Sequence, residues 1–194
     1  MNKPYVGQAV EEAVEKIIWA LGVDPEDPNF KGTPERVARA YKEMCAGLWA
    51  DKEIEELFTK TFPSTYDQMI VARDISAVGI CPHHLLPVEY TIHVAYIPDG
   101  GNVIGVSKLA RLAKLLAKRP VLQEQLTEDI AKELQGHLSP AGVGVIVIGK
   151  HSCMGLRGVR DDRASIVTSV MLGDMRTEIE TRSEFVELIK MEEK

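Results

Sequence analysis

The sequence predicts an α+β fold: a four-stranded antiparallel sheet in the chain order strand, strand, helix, helix, strand, strand, with helices covering one face and a helical appendage ahead of it. Val88, Tyr90, Ile92, Val94 and Tyr96 alternate with Glu89, Thr91 and His93, the period of a half-buried strand. Residues 107–118 and 121–136 read as two helices parted near Pro120, and strands near 143–151 and 164–172 follow them. Ahead of residue 62 the punctuation is that of helices alone.

Residues 7–21 form an amphipathic helix, with Val10, Val14, Ile17 and Leu21 at helical spacing and its acids toward the start, where the helix dipole favours them. Asp24-Pro25-Glu26-Asp27-Pro28 breaks it. Thr33-Pro34 opens a second helix, Thr33 as cap and Pro34 at the first helical position, with Val37, Tyr41, Met44 and Leu48 as its core stripe. A short helical segment covers 51–58, and Phe62-Pro63-Ser64 marks a boundary, giving an appendage over 1–62 and a sheet-bearing domain over 63–194. Met69 to Val78 is the first strand, and Pro98-Asp99-Gly100-Gly101 ends the second. The last helix, about 181–191, is amphipathic through Phe185, Leu188 and Ile189. Four strands with helices on one face leave a bare face and two open edges, so neighbouring subunits are expected to cover them.

The chain has 194 residues, 45% of them hydrophobic, enough for one ordinary domain with an appendage. No apolar run approaches the length of a membrane span, and Glu11, Glu12 and Glu15 stand where a leader would be basic and then apolar, so a soluble cytoplasmic protein with no membrane partner is expected. Three cysteines, an odd number, fit a reducing compartment rather than a disulfide framework. A net charge of -6 speaks against nucleic acid as a partner.

Cys81-Pro82-His83-His84 packs a soft sulfur and two imidazoles into one turn. Cys-x-x-His is the spacing of half a zinc site, and Pro82 keeps Cys81 out of helical geometry, favouring a tight knuckle after a strand. The other half is His151-Ser152-Cys153, where strand period would aim His151 and Cys153 to one side. With Cys81, His84 and Cys153 as ligands, a fourth coordination place stays open, as in catalytic zinc sites, and His83 and His151 stand beside it as proton shuttles. Cys45 reads as core; as a fourth ligand it would close the site and make it structural.

A second cluster opens the helix at Gly105-Val106-Ser107-Lys108, where Ser107 as cap and the exposed amides attract an anion, with Lys108 and Arg111 one turn apart. Between Lys108 and Arg119 there are five basic residues and no acid; Lys114 and Lys118 read as a solvated face, whereas Lys108 and Arg111 favour a phosphate. Arg157, four residues past Cys153, would hold that phosphate within reach of the metal. Glu124, early in its helix, reads either as a dipole-favoured carboxylate or as the acceptor for the paired donors of a guanine edge.

These residues resemble the GTP cyclohydrolase I family. Thr33-Pro34-Glu35-Arg36-Val37, the Cys-x-His-His knuckle, Ala95-Tyr96-Ile97-Pro98, Ile104-Gly105-Val106-Ser107-Lys108, Arg119-Pro120-Val121-Leu122-Gln123-Glu124, His151-Ser152-Cys153 and Arg157-Gly158-Val159-Arg160 occur in the family's order over most of the chain. The resemblance implies a Zn2+ ion on Cys81, His84 and Cys153, with His83, His151 and Ser107 catalytic. It implies that Gln123 and Glu124 read guanine, and that Lys108, Arg111 and Arg157 contact the ribose and triphosphate. It also implies the tunnelling fold, with sheets joined into a barrel, commonly in homodecamers with active sites between subunits. The implied reaction hydrolyses GTP to formate and 7,8-dihydroneopterin triphosphate, the first step of tetrahydrofolate and pterin synthesis. Alternatives are a paralogue that stops at the ring-opened formamidopyrimidine or takes another purine nucleotide, and a non-catalytic scaffold with a structural zinc. Where the family usually has Glu after the knuckle cysteine this chain has Pro82, which removes a carboxylate beside the metal and bears on rate and reaction extent.

Overall fold

The structure is a computed structural model that describes residues 4–24 and 26–191. Helices come first: α1 Gly7–Ala20, α2 Thr33–Met44, a 3-10 turn Ala46–Trp49 and α3 Asp51–Phe58. A short strand β1 Thr61–Pro63 leads to the long strands β2 Ile70–Cys81 and β3 Leu86–Ile97, and then to β4 Asn102–Ile104. Helices α4 Ser107–Ala117 and α5 Gln123–Leu138 follow, then β5 Gly142–His151, α6 Ser152–Gly155, β6 Ile166–Gly173, α7 Asp174–Thr177 and α8 Ile179–Lys190. The long strands form one antiparallel sheet in the order β2-β3-β5-β6, so the expected α+β class and chain order hold.

The alternation along β3 does the work expected of it. Val88, Tyr90, Ile92, Val94 and Tyr96 are all buried against Leu109, Leu112 and Leu116 of α4 and Leu126, Ile130 and Leu134 of α5. Each such side chain contributes about 1.5–3 kcal/mol relative to leaving it in water. Ala50, Ile54 and Leu57 join the same core, which ties α3 to the sheet layer. The opposite face is not wholly bare. Ala95, Met69, Met175 of α7 and Phe185 of α8 form a second, smaller cluster there, with Leu188 and Ile189 packed against it.

Elsewhere the local chemistry differs from expectation. β1 and β4 pair as a two-stranded sheet, Phe62 opposite Val103, where the sequence suggested only a boundary, because three residues are too few to display a strand period. Thr33 and Ser107 do not cap: each is the first residue of its helix, preceded by Gly32 and Val106, and neither helix has a side-chain cap bond. The Thr33 hydroxyl instead accepts a hydrogen bond from the Arg36 guanidinium at 2.7 Å. The first turn of α1 carries no acid, and Ile17 and Leu21 of its stripe are exposed; Ile18 is the buried residue. Val10, Val14 and Ile17 instead line an apolar groove with Tyr41, Leu48, Trp49 and Leu85.

A bulge between Ala72 and Ile75 places Asp74 at φ 57° and turns its N–H toward His93 Nδ1, 3.2 Å away. Arg73 beside it donates to the carbonyls of Leu188 and Met191, linking the bulge to the end of α8. Burial lowers the His93 pKa, opposed by Asp74 and aided by Arg73. A group whose folded pKa lies below its unfolded value near 6.5 binds its proton more readily unfolded, so its contribution to stability is complete above about pH 6.5 and declines as pH falls below that. Urea denaturation between about pH 7 and 5 should therefore show a flatter pH dependence for His93→Gln than for the parent chain.

Candidate functional site

Antiparallel pairing decides which side chains meet. Cys81 closes β2 opposite Leu86, and Val88 of β3 pairs with His151 at the end of β5, so the strand ends carrying Cys81 and His151 lie at one end of the sheet. The knuckle between β2 and β3 is closed by Leu85 N donating to Cys81 O at 3.0 Å. β5 stops at His151, and Cys153 reaches the same place from the one-turn helix α6 rather than by strand period. The ligand atoms of Cys81, His151 and Cys153 all lie within 4.8 Å of one another. Burial raises the Cys153 thiol pKa, and the neighbouring Cys81 raises it further. Two thiols with an imidazole alongside are a donor set suited to a borderline-soft divalent cation.

His84, expected as third ligand, is outside that group: its Nε2 accepts a hydrogen bond from Arg157 Nη1 at 3.1 Å on the surface. His83 is exposed and faces His84 edge-on at 6.5 Å. Burial lowers the His151 pKa, opposed by Glu124 and aided by His83. A cleft of about 320 Å³ opens over these residues, lined by Cys81, His83, Glu124, His151, Met154 and Ile166 among others.

Gln123 and Glu124 begin α5 at this cleft, but they are placed differently. Glu124 is exposed. Gln123 is 3% exposed: its Nε2 lies 3.0 Å from Val147 O, 2.9 Å from Ile166 O and 3.2 Å from Thr168 Oγ1, and its Oε1 lies 3.0 Å from His151 Nε2. The sequence reading missed Thr127 and Thr168, whose hydroxyls are 2.6 Å apart behind this amide. A signal existed: Gln123 and Thr127 occupy the apolar phase of α5, shared with Ile130 and Leu134, where a polar residue needs a partner.

Ser107, Lys108 and Arg111 are not brought to the cleft. Ile104 N donates to Tyr96 Oη at the far end of β3, whereas the Ala117 carbonyl lies 2.5 Å from where a Cβ on Gly79 would stand, two residues before Cys81. α4 thus starts at the far end of the sheet and finishes beside the cysteines, roughly 15 Å of helix rise away. Lys108 Nζ donates to Lys60 O at 2.6 Å, and Ser107 and Arg111 are exposed. One chain therefore does not unite the α4 start with the thiol pair, as the sequence reading had suggested. Cys45 also lies apart, in an apolar groove with Tyr5, Val10, Tyr41 and Trp49. Among the described residues no helix is long and apolar enough to cross a membrane.

A sheet with a helical layer and a thiol-imidazole cluster at a cleft defines an α+β protein with a donor set that could hold a metal ion. The sequence profile of GTP cyclohydrolase I matches residues 10–190, and the chain belongs to that family. The GTP cyclohydrolase 1 of Pelotomaculum thermopropionicum is 45% identical over 181 residues, 93% of this chain and 95% of that one. That of Streptomyces coelicolor is 44% identical over 180 residues, 92% and 88% of the two chains, and that of Streptococcus mutans 41% over 180 residues, 93% of each. Among solved structures, an archaeosine synthase QueF-Like in the apo form aligns with a TM-score of 0.44 and 17% identity over 54% of this chain and 93% of that chain.

Proposed function

We propose that this chain is a zinc-dependent GTP cyclohydrolase I that hydrolyses the imidazole ring of GTP to formate and 7,8-dihydroneopterin triphosphate, opening tetrahydrofolate and pterin synthesis in the cytoplasm. The observation that carries the proposal is the convergence of Cys81, Cys153 and His151 at the mouth of a cleft that also holds Glu124, in a chain of this family. Residues 63–194 carry the chemistry and 1–62 form the appendage.

Cys81, Cys153 and one imidazole would hold the ion. When bound there, zinc would supply the Lewis acidity that makes a water nucleophilic at neutral pH. His84 is the proposed third ligand, since it shares the closed turn of Cys81 and has only to release Arg157. His151 then takes up the proton released by the attacking water and passes it to the guanine ring nitrogen as the C8–N bond opens, and a second water releases C8 as formate. His83 and Ser107 assist the later ribose rearrangement. Lys108, Arg111 and Arg157 bind the ribose and triphosphate. Because the α4 start lies at the wrong end of its own sheet, Ser107, Lys108 and Arg111 serve the cleft of a neighbouring subunit, which fits a homodecamer with shared sites. A second reading, favoured by the 4.8 Å cluster, makes His151 the third ligand.

Glu124 accepts the paired donors of the guanine edge, with Gln123 at the floor beside it. Glu124→Gln should lower kcat/KM for GTP roughly 10- to 100-fold, the worth of a hydrogen bond to a charged group. It should also erase the preference for GTP over inosine triphosphate, which lacks the 2-amino donor. Incubation with GTP tests the whole reading: formate and an oxidisable, fluorescent pterin are expected, whereas mass spectrometry showing only a formamidopyrimidine would select the paralogue.

A further inference from the structure

Gln123 is the most heavily committed polar side chain near the cleft, and its surroundings determine more than its own orientation. Two of the three oxygens around its Nε2 are backbone carbonyls, Val147 of β5 at 3.0 Å and Ile166 of β6 at 2.9 Å. Carbonyls only accept, so the amide has to present its NH2 there. Turning the group over would set Oε1 against both carbonyls and leave their lone pairs facing a third. The orientation is therefore dictated by the sheet. It leaves Oε1 as the atom facing His151 Nε2 at 3.0 Å, and an amide oxygen also only accepts. His151 Nε2 must carry the hydrogen.

We propose that Gln123 is a positioning residue: its amide, pinned between β5 and β6, holds His151 in the Nε2–H tautomer, so that Nδ1 is the lone pair available for proton transfer or for a ligand. The rest of the surroundings support the same arrangement. Thr168 Oγ1 stands 3.2 Å from the amide nitrogen, and Thr127 Oγ1, which donates to Gln123 O at 2.7 Å, backs it from α5. Gly149 of β5 leaves room for the amide, since a Cβ there would fall 2.2 Å from Gln123 Oε1. Tyr90 packs edge-on against the His151 ring, centroids 6.4 Å apart, and limits its rotation. This assignment deepens the cyclohydrolase reading and rests on it for the meaning of Nδ1, but the tautomer itself is a property of the folded chain.

The test is nitrogen NMR of the full chain labelled with 15N-histidine, at alkaline pH where the ring is neutral, with and without added zinc; His151 is assigned by the signal lost in His151→Asn. A pyrrole-like Nε2 and a pyridine-like or metal-shifted Nδ1 are expected in both samples. A predominantly Nδ1–H ring, or an averaged mixture, overturns the proposal. Gln123→Met keeps the volume and removes both donor and acceptor; it should yield the averaged pattern and a kcat lower by roughly 10- to 100-fold with KM for GTP little changed. Retention of the single tautomer in Gln123→Met also overturns it. Should that variant not fold, Gly149→Ala, which displaces Oε1, takes its place with the same two outcomes. An Nε2–H ring in a chain that releases no formate would uphold the tautomer and remove the cyclohydrolase reading; active enzyme with an Nδ1–H ring would do the reverse.

Discussion

Cys153→Ala should lose bound zinc and GTP turnover together while keeping the secondary structure of the parent chain. The proposed donor set is small: two thiols and one imidazole, with no other described Cys, His, Asp or Glu in the cluster. Removing one thiolate leaves two protein ligands, too few for a catalytic zinc site. Loss of an outer-shell partner already costs such sites roughly 10- to 100-fold in affinity, so loss of a ligand should exceed that. The fold has less at stake, because Cys153 is only half-buried, in a one-turn helix outside the sheet. Metal analysis after dialysis, alongside formate release and far-ultraviolet circular dichroism, checks all of this. Cys45→Ser is the companion: Cys45 sits in the apolar groove beside α1, so zinc should be retained in full. Zinc lost from the Cys45 variant would mean a closed, structural site and would favour the scaffold.

The sheet and its helical layer were legible because β3 and α5 each present one apolar face over many residues, and burial of that face is what the fold needs. The meeting of Cys81 with Cys153 was legible for a partly different reason from the one that holds. Two complementary half-motifs of a metal site suggested it, with strand period aligning only His151 and Cys153, but register across β2, β3 and β5 produces it, with α6 completing the approach. Register is a long-range property that no local pattern displays. The same limit hid the separation of Ser107 and Lys108 from the cleft. Their sequence context shows an anion-seeking helix start, yet which end of the sheet that start occupies depends on the long connection from β3 through β4. Side-chain direction was also out of reach: the chain order shows His84 next to the knuckle but not its hydrogen bond to Arg157. Gln123 is the clearest case, since its partners Val147, Ile166 and Thr168 come from two strands that follow it.

His151→Ala should release formate from GTP about 100- to 10,000-fold more slowly than the parent while retaining its zinc, and His84→Ala should lose the zinc itself. The two variants divide the imidazoles between ligand and proton donor. His151 stands with the thiols and His84 with Arg157, an arrangement that gives His151 the shorter path to an ion. Against that, His151 is already held at Nε2 by Gln123 inside the cleft, and burial lowers its pKa. A neutral ring fixed at one nitrogen suits exchange of a proton at the other. His84 has no such constraint from the core, and a change of its side-chain torsions would take it from Arg157 to the Cys81 side of a turn already closed by Leu85. The decisive quantity is the zinc content of each variant under identical dialysis. Zinc lost from His151→Ala and kept in His84→Ala would assign the third ligand to His151, and the proton donor would then have to be sought at His83.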